Sequence, residues 1–299
     1  MALLALVIAA AGCFSPRSNE EALPPLGGPE YSALMVSSDL AKGNNRLVFA
    51  LVSRDNVPVS AQQAQVVARY TPSGSDVSEE RATAEANFLP WPPEGSNRGV
   101  FVAALPFDVS GDATPANPGL WELDITATTA EGSTVETTTA VRVASSPSTP
   151  EVGAHAPLSV TPTADNVDDL SHITSALHPD PDLYRLSIHE ALEEGKPLVV
   201  LFSTPAFCVS ATCGPQLEIL GQLKDRYGDQ ANFIHVEVFE DPHLIEGNRT
   251  GARQVPAVGE WGLPTEPWTF VVDREGRVSD KFEQFTPEDV LEEALKKVL

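Results

Sequence analysis

KPLVVLFSTPAFCVSATCGP, residues 196–215, contains two of the chain's three cysteines, Cys208 and Cys213. Its first part, Leu198 to Ser203, is apolar as far as Phe202 without alternation, the pattern of a strand in a sheet covered on both faces. Pro215 suits the first turn of a helix, where a missing N–H costs nothing. Beyond it Leu217, Leu220, Leu223 and Tyr227 recur at helical spacing. The stretch reads as strand, cysteine-bearing loop, helix. Residues five apart on a continuous helix have Cα atoms ~8.6 Å apart, and a disulfide tolerates no more than about 7 Å. If the two cysteines bond, residues 209–212 form a loop and the helix begins at or after Cys213. That position is a helix N-terminus, where free N–H groups and the helix dipole favour a thiolate.

Regular α/β signals continue on both sides. Ser187-x-x-Glu190 is a capping box opening the short helix SIHEALEEG, which Gly195 stops. NFIHVEVFE (232–240) and EPWTFVVD (266–273) are strands. Arg274-Glu275-Gly276 turns the chain into RVSDKF. TPEDVLEEALKKVL is an amphipathic helix, with Thr286 as the expected N-cap and Pro287 at the first helical position.

This order is similar to thioredoxin over residues 184–299, as an α/β thioredoxin-like domain. KPLVVLFSTPAFC resembles the strand that enters the family's active site. PWTFVVDREGRV resembles the segment that follows its cis-proline, and Cys-Gly-Pro recurs at 213–215. AHAPLSVTPT (154–163) resembles the lead-in of exported thioredoxin-like and peroxiredoxin-like proteins. The resemblance makes Cys208, Cys213 and Pro267 the site residues, with Pro267 in cis. The family pattern is Cys-x-x-Cys, whereas four residues separate the cysteines here. From the strand side, Cys208 takes the nucleophile's place. From the helix side, Cys213-Gly214-Pro215-Gln216 overlays Cys-Gly-Pro-Cys, with Gln216 in place of the second cysteine. Both alignments stand. Glu266, just before Pro267, would raise a nearby thiol's pKa if its carboxylate were buried.

Upstream, residues 31–144 read as short strands between turn signals. RLVFALVS (46–53), AQVVARY (64–70), RGVFVAALPFDV (98–109) and STVETTTAVRVA (133–144) are strand-like. In GLWELDITA (119–127), Trp121, Leu123, Ile125 and Ala127 alternate with polar residues, giving one buried and one wet face. About seven strands without a helical period indicate an all-β sandwich. GVFVAALPF and PGLWELDI resemble small immunoglobulin-like domains of exported bacterial proteins. Trp91 in LPWPPEG reads as a loop, either packed against the fold or forming a contact surface. SSPSTPEVGAHAP (145–157) is a Pro/Ser linker, and with the lead-in it fills 145–183. Residues 165–182 hold five Asp and no Lys or Arg, but Asp165, Asp168 and Asp169 lack the alternate spacing of an EF-hand calcium loop. They read as a solvated segment. The chain is multidomain on this reading.

The chain opens MALLALVIAAAGCFS, and the apolar run 2–11 falls short of the about 20 residues a spanning helix needs. It suits the core of a secretory signal. Ala10-Ala11-Gly12-Cys13 resembles the lipobox of bacterial lipoproteins, which implies a signal over 1–13, a lipid on Cys13 and a tether over 14–30. The expected location is extracytoplasmic, lipid-anchored to the cell membrane. With Cys13 lipidated, Cys208 and Cys213 form an even pair in a compartment where disulfides persist. A formal charge of −23 argues against nucleic acid. The expected partners are envelope protein thiols or disulfides, with no cofactor, and the expected activity is thiol–disulfide exchange. Two alternatives remain: a non-catalytic envelope binding module with a structural disulfide, and copper(I) handling by the thiolates. For the latter, His172, His178, His189, His235 and His243 show no ligand spacing. Asn248-Arg249-Thr250 matches a glycosylation sequon, which the lipobox-like start discounts by pointing to a bacterium.

Overall fold

The computed structural model describes residues 28–92, 97–247 and 249–299. The signal-like start with Cys13, most of the 14–30 tether and Asn248 lie outside the described residues.

The first half is antiparallel. Its strands are β1 (Tyr31–Met35), β2 (Gly43–Ser53), β3 (Pro58–Val59), β4 (Gln63–Thr71), β5 (Glu79–Pro90), β6 (Gly99–Phe107), β7 (Leu120–Thr128) and β8 (Thr134–Val141). They join in one path, β1-β2-β6-β5-β4-β7-β8, with β3 on β2. The long β5 makes the path single. It pairs with β4 as far as Asn87, and from Asn87 to Pro90 it pairs with β6. A strand that changes layers in this way forms a corner between two packed faces. β6 and β7 share no ladder, yet Phe107 meets Trp121 across the core with ring centroids 4.8 Å apart. At the open side, Lys42 N donates to Ala144 O and Ala144 N donates to Leu40 O, each at 2.9 Å, so the sheet nearly closes. Alternation decides which side chains enter: Trp121, Leu123, Ile125 and Ala127 are all buried, as their period-two pattern requires. The Trp121 indole N–H is satisfied by Val109 O at 3.1 Å.

The smaller α/β half has a four-stranded sheet. In chain order come α1 (Ile188–Glu193), β9 (Leu198–Ser203), α2 (Cys213–Tyr227), β10 (Asn232–Glu237), α3 (Pro256–Glu260), β11 (Trp268–Val272), β12 (Val278–Glu283) and α4 (Glu288–Lys296). The sheet order is β10-β9-β11-β12, with β10 parallel to β9 and the other pairs antiparallel. Every residue of β9 is buried because the sheet is covered twice. Leu198, Val200 and Phe202 pack with α1 and α3. Val199 and Leu201 point the other way, toward α2 and α4. The Ser187–Glu190 capping box forms as expected. The α4 start differs by one residue from the expectation. Pro287 is the N-cap and the helix begins at Glu288. Thr286 is fully buried and its N–H donates to Gln216 Oε1 at 2.7 Å, so it belongs to the core instead of capping the helix.

The segment before α1 is less solvated than its five aspartates suggest. Short 3-10 turns at Leu170–His172 and Pro181–Tyr184 carry it, and Ile173, Leu183 and Tyr184 are buried in the α/β core. The two halves also touch. The Asp39 carboxylate accepts from the N–H and hydroxyl groups of Ser148 and Thr149. Ser38 donates through its N–H (2.8 Å) and hydroxyl (2.5 Å) to the Glu283 carboxylate on β12. Arg46 lies 5.4 Å over the Phe282 ring, and Trp91 meets Phe285 edge-on at 6.5 Å. The Trp91 ring thus reaches the α/β half.

Candidate functional site

Cys208 and Cys213 form a disulfide with Cα atoms 6.0 Å apart. The bridge straddles a non-helical bend, as the distance argument required. Ala211 takes a left-handed conformation at φ 58°, and α2 starts at Cys213 itself. The two cysteines are unequal. Cys213 is fully buried at the helix start, whereas Cys208 is half-exposed beside the outward-pointing Val209. Cys213 N–H donates to Cys208 Sγ at 3.3 Å. Once the bridge is reduced, that donor and the α2 dipole act on the Cys208 sulfur and favour its thiolate.

A chain of hydroxyls leads away from the same sulfur. Ser210 Oγ lies 3.3 Å from Cys208 Sγ and 2.7 Å from Thr212 Oγ1. Thr212 Oγ1 donates to Gln284 Oε1 at 3.1 Å. Gln284 follows β12 and is itself left-handed, at φ 63°. Its Nε2 donates to Glu266 O at 2.7 Å and its backbone N–H donates to Pro267 O at 2.8 Å. The Glu266–Pro267 bond is cis. One residue therefore ties the cis-proline loop to the cysteine loop. The Glu266 carboxylate has its own cation, Arg249, whose guanidinium lies 5.9 Å over the Phe239 ring. Gln216 is buried and joins α2 to Thr286.

Behind the loop lies a buried polar cluster. Glu237, at the end of β10, accepts from Ser175 N–H at 2.8 Å and Ser175 Oγ at 2.6 Å. Burial pushes its carboxyl above the usual range, partly offset by these hydrogen bonds. Ser175 Oγ in turn accepts from Ala206 N–H at 3.2 Å, which links Glu237 to the cysteine loop. His235 sits within 2.7 Å of Tyr184 Oη and 2.9 Å of Ser203 Oγ. Burial pulls its pKa down to about 4, so the imidazole is neutral. The other histidines are placed elsewhere. His172 stacks on His243 with centroids 4.2 Å apart, His189 lies 3.7 Å from Glu193, and His178 is exposed. Among the described residues, no group of three or more His, Cys, Asp and Glu is placed to hold a metal ion.

The structure bonds Cys208 to Cys213 and links Pro267 to their loop through Gln284, while Cys13 lies outside the described residues. The sequence reading missed Ser210, Thr212, Gln284, Ser175 and Glu237. Gln284 stands in an ordinary strand-to-helix connection, and only its left-handed backbone sets it apart.

A bridge at a helix start, tied to a cis-proline loop on an α/β sheet, is compatible with thiol–disulfide chemistry. No family model matches the chain, and no curated protein matches it. Among solved structures, one similar to part of the chain is the pneumococcal exposed lipoprotein thioredoxin Etrx1 from Streptococcus pneumoniae strain TIGR4. It is 17% identical, with a TM-score of 0.26, over 36% of this chain and 89% of that one. Another is MtrC from Shewanella baltica OS185, 13% identical, with a TM-score of 0.26, over 52% of this chain and 28% of that one. Both overlays are loose, and neither fixes the fold or the function.

Proposed function

We propose that the chain is a membrane-anchored, extracytoplasmic thioredoxin-like protein that exchanges thiols and disulfides through Cys208 and Cys213. The unequal burial of the pair carries this reading: Cys208 is half-exposed, with the first N–H of α2 on its sulfur, and Cys213 is sealed behind it. In the reducing direction, the Cys208 thiolate attacks one sulfur of a partner's disulfide. The Cys208–partner bond forms, the partner's disulfide breaks, and one partner thiolate leaves. Deprotonated Cys213 then attacks Cys208 Sγ, closes the internal bridge and releases the second partner thiolate. The pair gives up two electrons, and the two partner sulfurs gain them. Run backwards, the bridge oxidises a partner dithiol.

The cis-proline loop would be held in position for a partner segment by Gln284, which binds the carbonyls of both Glu266 and Pro267. Cys13 would hold the chain at the membrane through its lipid. The N-terminal sheet would serve as an immunoglobulin-like module that carries the redox site away from the bilayer. The expected partners are envelope proteins with accessible thiols or disulfides. Trapping tests the exchange step. Reduced Cys213→Ser protein should form a covalent adduct with an oxidised disulfide peptide through Cys208, reversible by dithiothreitol, and Cys208→Ser should form none. If Cys213→Ser forms no adduct, the exchange reading fails.

A further inference from the structure

We propose that Gln284 sets the polarity of the hydroxyl chain ending on the Cys208 sulfur, so that Ser210 faces that sulfur as an acceptor. Each group in the chain has a fixed number of hydrogens to give. Glu266 O can only accept, so the Gln284 group 2.7 Å from it is the NH2, and the amide oxygen must face Thr212. Thr212 has one hydroxyl hydrogen, and it goes to Gln284. Across the 2.7 Å contact, Ser210 must then donate to Thr212, which uses its own single hydrogen. Only lone pairs of Ser210 Oγ remain to face Cys208 Sγ, 3.3 Å away. On reduction this arrangement holds a hydrogen on Cys208, against the Cys213 N–H that favours its loss. Gln284 is a positioning residue acting through two hydroxyls.

Gln284 is itself fixed from the far side. Its neighbour Glu283 accepts from Ser38 N–H and Oγ and from Thr265 Oγ1 at 2.6 Å. The connection between β1 and β2 thereby holds the end of β12. The ionisable groups around the chain each have partners. Glu266 pairs with Arg249, Glu283 has the hydroxyls just named, and Glu237 is linked to the loop through Ser175.

The inference rests on the exchange reading for its consequence, but its test does not. In a Cys213→Ser background, Cys208 is a free thiol whether or not the native pair turns over. The midpoint of Cys208 alkylation by iodoacetamide against pH reports its thiolate. Adding Gln284→Gly removes the amide and suits the left-handed backbone, so the fold should hold. Thr212 can then donate to Ser210, and Ser210 to the thiolate. The midpoint should fall by about one pH unit, the scale of a hydrogen bond to a charged group. Thr212→Val, which breaks the same chain one link nearer, should move it the same way. Adding Ser210→Ala should abolish both shifts, as a coupled cycle requires. An unchanged or raised midpoint in Gln284→Gly and Thr212→Val overturns the proposal, as does a shift that survives without Ser210.

Discussion

His235 makes the stability of this protein depend on pH in a way that can be isolated. Its imidazole is fully enclosed between Tyr184 and Ser203, and burial lowers its pKa from 6.5 to about 4. Between those values the unfolded chain binds a proton that the folded chain refuses. Stability rises with pH wherever the unfolded state holds more protons. The His235 contribution is therefore complete above pH 6.5, falls as the solution is acidified, and levels off below about pH 4. At ~1.4 kcal/mol per unit, a drop of about 2.5 units is worth about 3 kcal/mol. Glu237 and Glu283, whose carboxyls burial raises, act in the opposite direction, because their folded forms take up protons first. A difference measurement removes them. Urea unfolding of the wild type and of His235→Gln, from pH 7 to pH 4, should show the gap between the two proteins closing by about 3 kcal/mol on acidification. Parallel curves across that range would refute the reasoning, as would an imidazole that titrates by NMR at or above its ordinary value.

Other perturbations give clear outcomes. Reduction of Cys208–Cys213, a bridge of sequence separation 5, should cost no more than about 2 kcal/mol in thermal unfolding, because so short a loop constrains little chain. Gly119→Ala should destabilise by more than about 1 kcal/mol in urea, since its φ of 104° disfavours a side chain and the new Cβ would collide with Tyr70. Ser38→Ala removes one hydrogen bond to the Glu283 carboxylate and should cost about 1–3 kcal/mol, read as a lowered Tm. In a bacterial host, labelled palmitate should enter the wild type and not Cys13→Ala, and equal labelling would remove the lipid anchor from the account.

Much of the architecture was legible because burial imprints a period. Trp121 to Ala127 alternate, and Leu198 to Phe202 are apolar throughout, and each pattern matches the number of covered faces. The bend between the cysteines followed from bond geometry and is present. β5 left little trace. Its inward residues include Ala82, Ala84 and Ala86, too small to mark a strand, and its change of layer joins what read as a sandwich into one path. Ile173 enters the core just after a 3-10 turn, which imposes no long period, so residues 165–182 read as solvated. Thr286 had the residue type of a cap, but a partner 70 positions away, Gln216, decided its place. The link from Gln284 to Thr212 spans 72 positions, and no local pattern announces such a contact.

Equilibration of the full chain in glutathione buffers of graded potential, with the state of Cys208 and Cys213 read by alkylation, tests the central claim most directly. A working pair should interconvert with the buffer within the assay and be half-reduced at a potential less negative than about −300 mV. A bridge that stays oxidised below that value, in a protein that also forms no adduct with a disulfide peptide, would be a structural staple and would contradict the account.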